Sequence, residues 1–171
     1  MVNFLDSDSA NLEDLEMASW NHSAVQFSLL KSLDIPDKYV PRPELSLDLG
    51  TLDLTKLKIG AKQELKPDVC LYPATRRGLS RPTDILRMTE MPLLVIEILS
   101  PTQGMYDIKE KFKAYFALGI KSCWLVLPEI ENITIYSSTM DSGKAFSRLH
   151  GDSEVVDEVL AIRVPLDKIF E

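Results

Sequence analysis

The chain has 171 residues, of which 45% are hydrophobic and 26% are charged; these values exclude global disorder and supply enough apolar side chain for one core. Because domains typically hold about 100 to 200 residues, we expect residues 1–171 to form a single domain. The formal net charge of −7 argues against a broad basic surface for nucleic acid, so any phosphate contact should be local.

The cellular location is predicted from two features that the sequence lacks, a secretory signal and a membrane-spanning segment. No positively charged start leads into an apolar stretch with a small-residue cleavage site. No apolar run approaches the roughly 18 residues that a membrane helix needs. We therefore expect a cytoplasmic protein with no membrane partner. The two cysteines, Cys70 and Cys123, lie in apolar strand-like segments, where buried thiols are more typical than a disulfide or metal ligands.

The first predicted element is an amphipathic helix. Apolar residues recur at helical spacing from Leu12 to Leu33, which predicts a helix of about 20 residues with Ser9 or Asn11 as its N-cap. The helix should end before Pro36, which forces the preceding residue towards an extended conformation.

Two predicted strands and a long loop follow the helix. Alternating apolar residues predict a first strand over 39–49, and residues 65–72 predict a second strand that Pro73 closes, with a polar connection over 51–61 between them. Residues 76–89 have loop composition. The local candidates for contact with nucleic acid are the arginines of this loop and the lysines of the next helix: Arg76, Arg77, Arg81, Arg87, Lys109, Lys111 and Lys113.

The most apolar stretch of the chain is residues 92–99. A continuous β-branched run of this length is typical of a central strand buried on both faces, yet it carries one carboxylate, Glu97. Residues from Ile108 to Leu118 then predict a helix that stops at Gly119.

The C-terminal third predicts short strands. Residues 120–127 and 130–136 should pair as a hairpin around a turn at Pro128 and Glu129. Short strands near 146–149 and 154–160 and a final helical turn within 165–170 complete the chain. This order is mixed α/β, which disfavours a barrel or a dinucleotide-binding fold, and no glycine-rich phosphate loop is present.

Two carboxylates are the strongest candidates for a functional site. Burying an unpaired carboxylate costs several kcal/mol, so Glu97 should bind a metal, hold a proton or form an ion pair with Lys109, Lys111 or an arginine. Alternatively, it lies at a strand end where the carboxylate reaches solvent. Asp68 follows Pro67 at the second strand, where an aspartate often serves a turn. Together, carboxylates on neighbouring strands are the oxygen ligands that Mg²⁺ prefers.

Other polar residues are individually weaker candidates. Asp107 and Lys111 are four residues apart on the predicted helix and are equally explained by a helix-stabilising ion pair. Tyr115 lies one turn further, where an aromatic residue is more often core than catalytic. His22 on the first helix is more simply a surface or core residue than a ligand. Three glutamates could reach the same cleft: Glu13, Glu16 and Glu44.

A resemblance to a known family rests on one ordered string of residues. It comprises Pro92-Leu-Leu-Val-Ile-Glu97-Ile-Leu-Ser100-Pro101, then Asp107, Lys111, Tyr115 and Gly119, then Trp124-Leu-Val-Leu-Pro128, with Pro67-Asp68-Val69 before it. Over about residues 60–137 this string resembles the Uma-two family of endonucleases, which is similar to the PD-(D/E)XK nuclease superfamily. The first helix, His22 and the first strand before it match more loosely. The resemblance implies a restriction-endonuclease-like fold: a mixed central sheet flanked by helices, with a C-terminal β-hairpin extension.

The resemblance also implies the roles of four residues. Asp68 and Glu97 would bind the metal, Mg²⁺ or alternatively Mn²⁺. The common nuclease pattern has a lysine two residues after the glutamate, but Leu99 stands there. The resemblance suggests that Lys111 has taken over this role from the helix and that Asp107 orients it.

Three functional hypotheses remain open on the sequence. The first is a Mg²⁺-dependent endonuclease that hydrolyses phosphodiester bonds of nucleic acid, most simply DNA. The second is a catalytically degenerate module that uses the fold to bind protein or nucleic acid, since fold alone does not settle function. The third treats Trp124, Leu125 and Val126 as the exposed face of a homodimer. Close pairing of Glu97 with Lys111 in a sealed interior would favour the second.

Overall fold

The computed structural model describes residues 19–50, 52, 65–101, 103–137 and 143–171. Within these ranges the helices are α1 (Trp20–Leu33), α2 (Met105–Ala117) and α3 (Asp167–Phe170). The strands are β1 (Tyr39–Pro43), β2 (Val69–Pro73), β3 (Leu94–Ile98), β4 (Ser122–Leu127), β5 (Asn132–Ser137), β6 (Lys144–Ser147), β7 (Glu154–Asp157) and β8 (Ile162–Pro165). None of the helices in these ranges is long and apolar enough to cross a membrane.

Strands β1 to β6 form one central sheet in sequence order. β3 and β4 run parallel, with α2 as the connection between them, and the other neighbouring strands are antiparallel. β7 and β8 form a separate antiparallel pair near the C-terminus. The predicted fold, a mixed sheet flanked by helices with a C-terminal hairpin, is confirmed.

Each face of the central sheet is covered, which explains the apolar composition of β3. One face packs against α1, α3 and the β7–β8 hairpin, and β3 contributes Ile96 and Ile98 to it. The other face packs against α2, and β3 contributes Val95. Because successive side chains of a strand point to opposite faces, Glu97 points towards the side that α2 covers. The buried central strand predicted over 92–99 is therefore confirmed, as the shorter strand Leu94–Ile98.

The first helix begins later than its periodicity predicts. Ser19 is extended, with φ −86° and ψ 168°, and its Oγ accepts a hydrogen bond from the backbone N–H of His22 at 3.2 Å. This N-cap satisfies a backbone donor that has no partner within the helix, so α1 starts at Trp20. The predicted caps Ser9 and Asn11, and the candidates Glu13 and Glu16, lie outside the described residues.

Both early strands are shorter than predicted. β1 ends at Pro43 because Glu44 has a positive φ of 51°, which is incompatible with an extended strand. Beyond it, Leu47 makes isolated bridges to Leu65 and Met88. β2 begins at Val69 rather than at residue 65. Apart from position 52, the connection predicted over 51–61 lies outside the described residues.

The elements from α2 to β5 follow the sequence prediction closely. β6 begins two residues before the strand predicted at residues 146–149, and β8 was not predicted. The helix α2 is followed by Gly119 with φ 86°, a conformation that favours glycine. β4 and β5 pair as the predicted hairpin, joined by a short 3-10 turn over Pro128–Ile130. Cys70 and Cys123 are free, buried thiols as predicted, and burial raises the pKa of Cys70 to about 12.

Trp124, Leu125 and Val126 do not form an exposed face for a homodimer, because the fold buries all three. A homodimer stays a prediction. Trp124 and Val126 are fully buried on the α1 side of the sheet, and Leu125 is buried on the α2 side. β4 lies between β3 and β5, so its backbone has no exposed edge. The apolar side chains that the sequence offered for contact with a partner are therefore buried within the chain's own core.

Candidate active site

The sheet register brings the two predicted carboxylates to one end of β2 and β3. Val69 pairs with Ile96 in the antiparallel ladder, and continuing the register by one residue sets Asp68 opposite Glu97. Opposite residues of antiparallel strands are close neighbours. Two residues that are 29 positions apart in the sequence therefore share one site.

Glu97 is buried and is held by two side chains of α2. Its Oε2 lies 3.2 Å from the ammonium of Lys111, and its Oε1 accepts a hydrogen bond from the hydroxyl of Tyr115 at 2.5 Å. The pKa of Glu97 is raised to about 7, mainly by burial. The charge of Asp68 also raises this pKa, whereas the charge of Lys111 and the hydrogen bonds from Tyr115 and Lys111 lower it. Glu97 is thus an acidic group whose charge depends on its neighbours.

The spacing of α2 explains how two of its side chains reach one carboxylate. Lys111 and Tyr115 are four residues apart, so they lie on the same face of the helix, one turn from each other. The ring of Tyr115 is fully buried and packs near Phe112, with 6.2 Å between ring centroids. Lys111 keeps 18% of its side chain exposed, so its ammonium lies at the boundary between the core and solvent.

Asp68 is held mainly by α1 and by the end of β3. Its Oδ2 accepts a hydrogen bond from the backbone N–H of Ile98 at 2.6 Å. Its Oδ1 lies 3.0 Å from Nε2 of His22, which is buried. The hydrogen bond with Asp68 raises the pKa of His22, burial lowers it, and the charges of Asp68, Glu44 and Glu97 add to the increase.

Glu44 lies near this group of residues. Its carboxylate forms an ion pair with Lys66 at 2.9 Å, which lowers the pKa of Glu44. A hydrogen bond from Gln26 and the charge of His22 lower it further. Half of the Glu44 side chain is exposed, so it lies at the solvent side of the site.

Asp107 lies in the exposed first turn of α2. Its backbone N–H donates to the carbonyl of Gly104 at 3.1 Å, and its carboxylate lies so close that a Cβ on Gly104 would be 3.2 Å from Oδ2. An acidic residue here suits the positive end of the helix dipole. Its predicted role in orienting Lys111 stays a prediction.

Comparison with known proteins identifies the family. A family model described as "Uma2: Putative restriction endonuclease" matches residues 11–165, most of the chain. The chain belongs to this family. A crystal structure described as a "putative nuclease belonging to DUF820" from Anabaena variabilis ATCC 29413 has a TM-score of 0.66 and is 18% identical, over 90% of this chain and 82% of that one. No curated protein matches the sequence.

This Uma2 chain differs from the common nuclease pattern two residues after the glutamate, where the pattern has a lysine. Leu99, two residues after Glu97, packs with the core on the α2 side. The positive charge beside Glu97 is instead the ammonium of Lys111, which lies on α2, the helix that covers this face of the sheet. A lysine side chain is long enough to bridge from the helix to the strand, so charge at the site is retained without a strand lysine.

The donor set of this Uma2 chain suits a hard cation. Asp68 and Glu97 offer carboxylate oxygens, which Mg²⁺ prefers, and Mg²⁺ usually takes one or two carboxylates and keeps several waters. Among the described residues, no group of three or more His, Cys, Asp or Glu side chains could hold a metal ion. Two carboxylates are ligands that suit Mg²⁺ or Mn²⁺, whereas closed zinc sites are built mainly from Cys and His.

Sequence reasoning undervalued two residues of the Uma2 site. His22 and Tyr115 are both buried, as their interpretation as core residues predicts, and they also contact Asp68 and Glu97 respectively. A signal was present for each: Gln26 follows His22 by four residues, and Tyr115 follows Lys111 by four. Polar residues on one helix face opposite a predicted carboxylate indicate a shared contact.

Several predicted basic candidates have ion-pair partners on the protein itself. Arg76 pairs with Glu90 at 2.9 Å and Arg77 with Asp34 at 2.6 Å. Lys113 pairs with Glu110 at 2.6 Å. Arg81 lies in the loop between β2 and β3, where residues 75–87 are all exposed.

Proposed function

We propose that the chain is a metal-dependent endonuclease that hydrolyses phosphodiester bonds of DNA with Mg²⁺, for which Mn²⁺ can substitute. Membership of the Uma2 family supports a nuclease. The single observation that carries the proposal is the cluster at the sheet end: Asp68 opposite Glu97, with the ammonium of Lys111 3.2 Å from Glu97.

In this proposal the two carboxylates hold the cation. A bound Mg²⁺ would polarise the phosphate and lower the pKa of a bound water. The hydrogen bonds to Asp68 and Glu97 orient these carboxylates before substrate arrives, which limits the reorganisation needed during reaction. Both groups are acceptors with further lone pairs, so these bonds leave capacity for a metal.

Lys111 supplies the positive charge that the common pattern places on the strand. Its ammonium is a mobile point charge with three donors, suited to a phosphate oxygen or to the attacking water. Its partial exposure allows it to contact substrate while Glu97 anchors it. Asp107, four residues earlier on the same helix, is proposed to orient Lys111.

The proposed DNA contact is local because the chain carries a net charge of −7. Arg81 in the exposed loop and Lys109 on the exposed side of α2 are the candidate phosphate contacts. Few such contacts predict moderate affinity with a shallow dependence on salt.

A second candidate function is a binding module on a degenerate nuclease fold. The observation that favours it is the enclosure of Glu97, whose side chain is 2% exposed and whose two oxygens contact Lys111 and Tyr115. A carboxylate with both oxygens engaged is also explained as a structural ion pair.

The experiment that separates the two functions combines calorimetry with cleavage. Mg²⁺ and Mn²⁺ are titrated into the wild type, Asp68→Ala, Glu97→Gln and Lys111→Met, and the same samples are incubated with plasmid and single-stranded DNA. The nuclease predicts metal binding that is lost in both carboxylate variants. It also predicts metal-dependent cleavage that is lost in all three.

Lys168→Met is the matched control, since Lys168 is an exposed lysine on α3 that the proposed site does not include. It should keep metal binding and most of the cleavage. A wild type that binds no metal at millimolar concentration and leaves every substrate intact would reject the nuclease and favour the binding module.

A further inference from the structure

We propose that His22 is the positioning residue of Asp68: from α1 it sets the orientation in which this carboxylate meets a divalent cation. The inference rests on the proposed function, and it assigns to α1 a part in the site that the family resemblance does not specify for this chain.

The carboxylate of Asp68 is held by a different element at each oxygen. Nε2 of His22 lies 3.0 Å from Oδ1, and the backbone N–H of Ile98 donates to Oδ2 at 2.6 Å. The side chains of His22 and Asp68 are only 9% and 19% exposed, so water competes weakly for these contacts. Two donors on two oxygens fix the plane of the carboxylate, not only its location.

The main chain of Asp68 is held from the same helix. The side-chain amide of Gln26 donates to the carbonyl of Asp68 at 2.9 Å, and the backbone N–H of Glu44 is 3.3 Å from the same oxygen. His22 and Gln26 are four residues apart, on one face of α1. Because β2 begins only at Val69, these contacts hold a residue that lies just outside the strand.

Packing alone does not account for a histidine at this position. His22 is 7% exposed, and its Nδ1 is the buried side-chain polar atom that has no hydrogen-bond partner among the described residues. A buried polar atom without a partner costs about 1–3 kcal/mol, which an apolar residue of similar size would avoid. The contact of Nε2 with Asp68 gives a reason for this residue.

The geometry also distinguishes positioning from metal ligation. Nε2 is directed to the Asp68 oxygen, so the histidine acts through the carboxylate. Residues that hydrogen-bond to metal ligands orient them, and their loss typically weakens metal affinity about 10- to 100-fold. The same size of effect is expected here.

The test compares His22→Ala and His22→Gln with the wild type. Glutamine retains an amide N–H at the end of its side chain that can donate to Asp68, and it retains much of the volume. Ser23→Ala is the matched control, an exposed residue next to His22 on α1. Circular dichroism and thermal melting first establish that each variant is folded.

Two readouts are measured on the folded proteins. In metal-free protein, the amide resonance of Ile98 in a ¹H–¹⁵N spectrum reports its hydrogen bond to Asp68. It should shift in His22→Ala, return most of the way in His22→Gln and stay unchanged in Ser23→Ala. In calorimetry, the Kd for Mg²⁺ should rise about 10- to 100-fold in His22→Ala, with partial rescue by glutamine.

Cleavage supplies a third readout. If His22 acts by positioning Asp68, raising the Mg²⁺ concentration should restore the kcat of His22→Ala while KM for DNA stays unchanged. A merely structural defect would not respond to metal in this way.

The outcomes separate this inference from the proposed function. An Ile98 resonance and a Mg²⁺ affinity that are unchanged in folded His22→Ala would overturn the role of His22 and leave the nuclease intact. A wild type that binds no Mg²⁺ would reject the nuclease. In that case the Ile98 resonance decides the role of His22. A resonance that does not respond to His22→Ala would reject the positioning of Asp68 by His22, and a shifted resonance would support that positioning.

Discussion

Tyr115 donates its hydroxyl to Oε1 of Glu97 at 2.5 Å, and this bond joins the core face of α2 to the one carboxylate of the central strand. Both residues are buried, so each polar group satisfies the other where water is excluded. The bond explains why an apolar strand tolerates Glu97 and why the aromatic residue at this helix position is a tyrosine.

Removing this hydroxyl should make Glu97 harder to ionise. Tyr115→Phe keeps the ring packing but deletes a donor that lowers the pKa of Glu97, so that pKa should rise above about 7. The free energy of unfolding should fall by roughly 1–3 kcal/mol because a buried acceptor loses its partner. A ¹³C titration of the Glu97 carboxyl and urea denaturation measure the two effects. An unchanged titration midpoint would contradict the contact.

The raised pKa of Glu97 also predicts how stability depends on pH. The folded pKa is about 7 against an ordinary value of 4.5, so the folded state binds the proton more tightly than the unfolded state. Stability from this group is therefore fully present below about pH 4.5 and is lost as pH rises through about 7. Glu97→Gln removes the titration, so its stability relative to wild type should increase from pH 5 to pH 8.

Thermal melts of both proteins in chelator-treated buffer at several pH values measure this difference. Glu158→Gln is the matched control, because Glu158 is an exposed glutamate whose pKa is lowered by Lys144. Its difference from wild type should stay flat between pH 5 and pH 8. A flat difference for Glu97→Gln as well would show that Glu97 ionises as an ordinary glutamate.

Asp157 should be among the most destabilising positions to truncate. Its Oδ2 accepts hydrogen bonds from Ser122 Oγ at 2.6 Å and from Trp124 Nε1 at 2.9 Å, while its Oδ1 accepts from the backbone N–H groups of residues 159 and 160. These bonds join the β7–β8 hairpin to the central sheet. Asp157→Ala leaves buried donors without a partner and should cost at least about 3 kcal/mol in urea denaturation.

The control for Asp157 is Asp167→Ala, which removes an exposed ion pair with Arg148. Exposed pairs contribute little, so this variant should denature close to wild type. Equal losses in the two variants would contradict a structural role for the buried cluster.

Ser19→Ala should loosen the start of α1. The variant removes the hydroxyl that accepts from the backbone N–H of His22, and the loss of an N-cap costs about 1 kcal/mol. Hydrogen exchange should quicken at the first turn, while Ser23→Ala leaves it unchanged. Exchange that stays unchanged at His22 in Ser19→Ala would show that the helix start does not depend on this cap.

Local sequence patterns were sufficient for most of the fold because they reflect local constraints. The apolar run ending in Ile98 predicted a strand buried on both faces, and Gly119 predicted the helix end by its access to positive φ. The errors in the predicted bounds of α1 and β1 have the same cause, because a local pattern does not show where an element stops. A cap at Ser19 and a positive φ at Glu44 ended elements whose apolar periodicity continues beyond them.

The sequence by itself indicated the two carboxylates of the candidate site, because a charged residue in an apolar strand requires a partner. The choice of Lys111 came from the resemblance to the Uma-two family. Only the tertiary structure decided that Asp68 is held by His22, that Tyr115 donates to Glu97, and that Trp124 faces Asp157 rather than a second subunit. Each of these contacts joins residues distant in sequence or on different elements. Their distances depend on how the helices pack across the sheet, which no local pattern specifies.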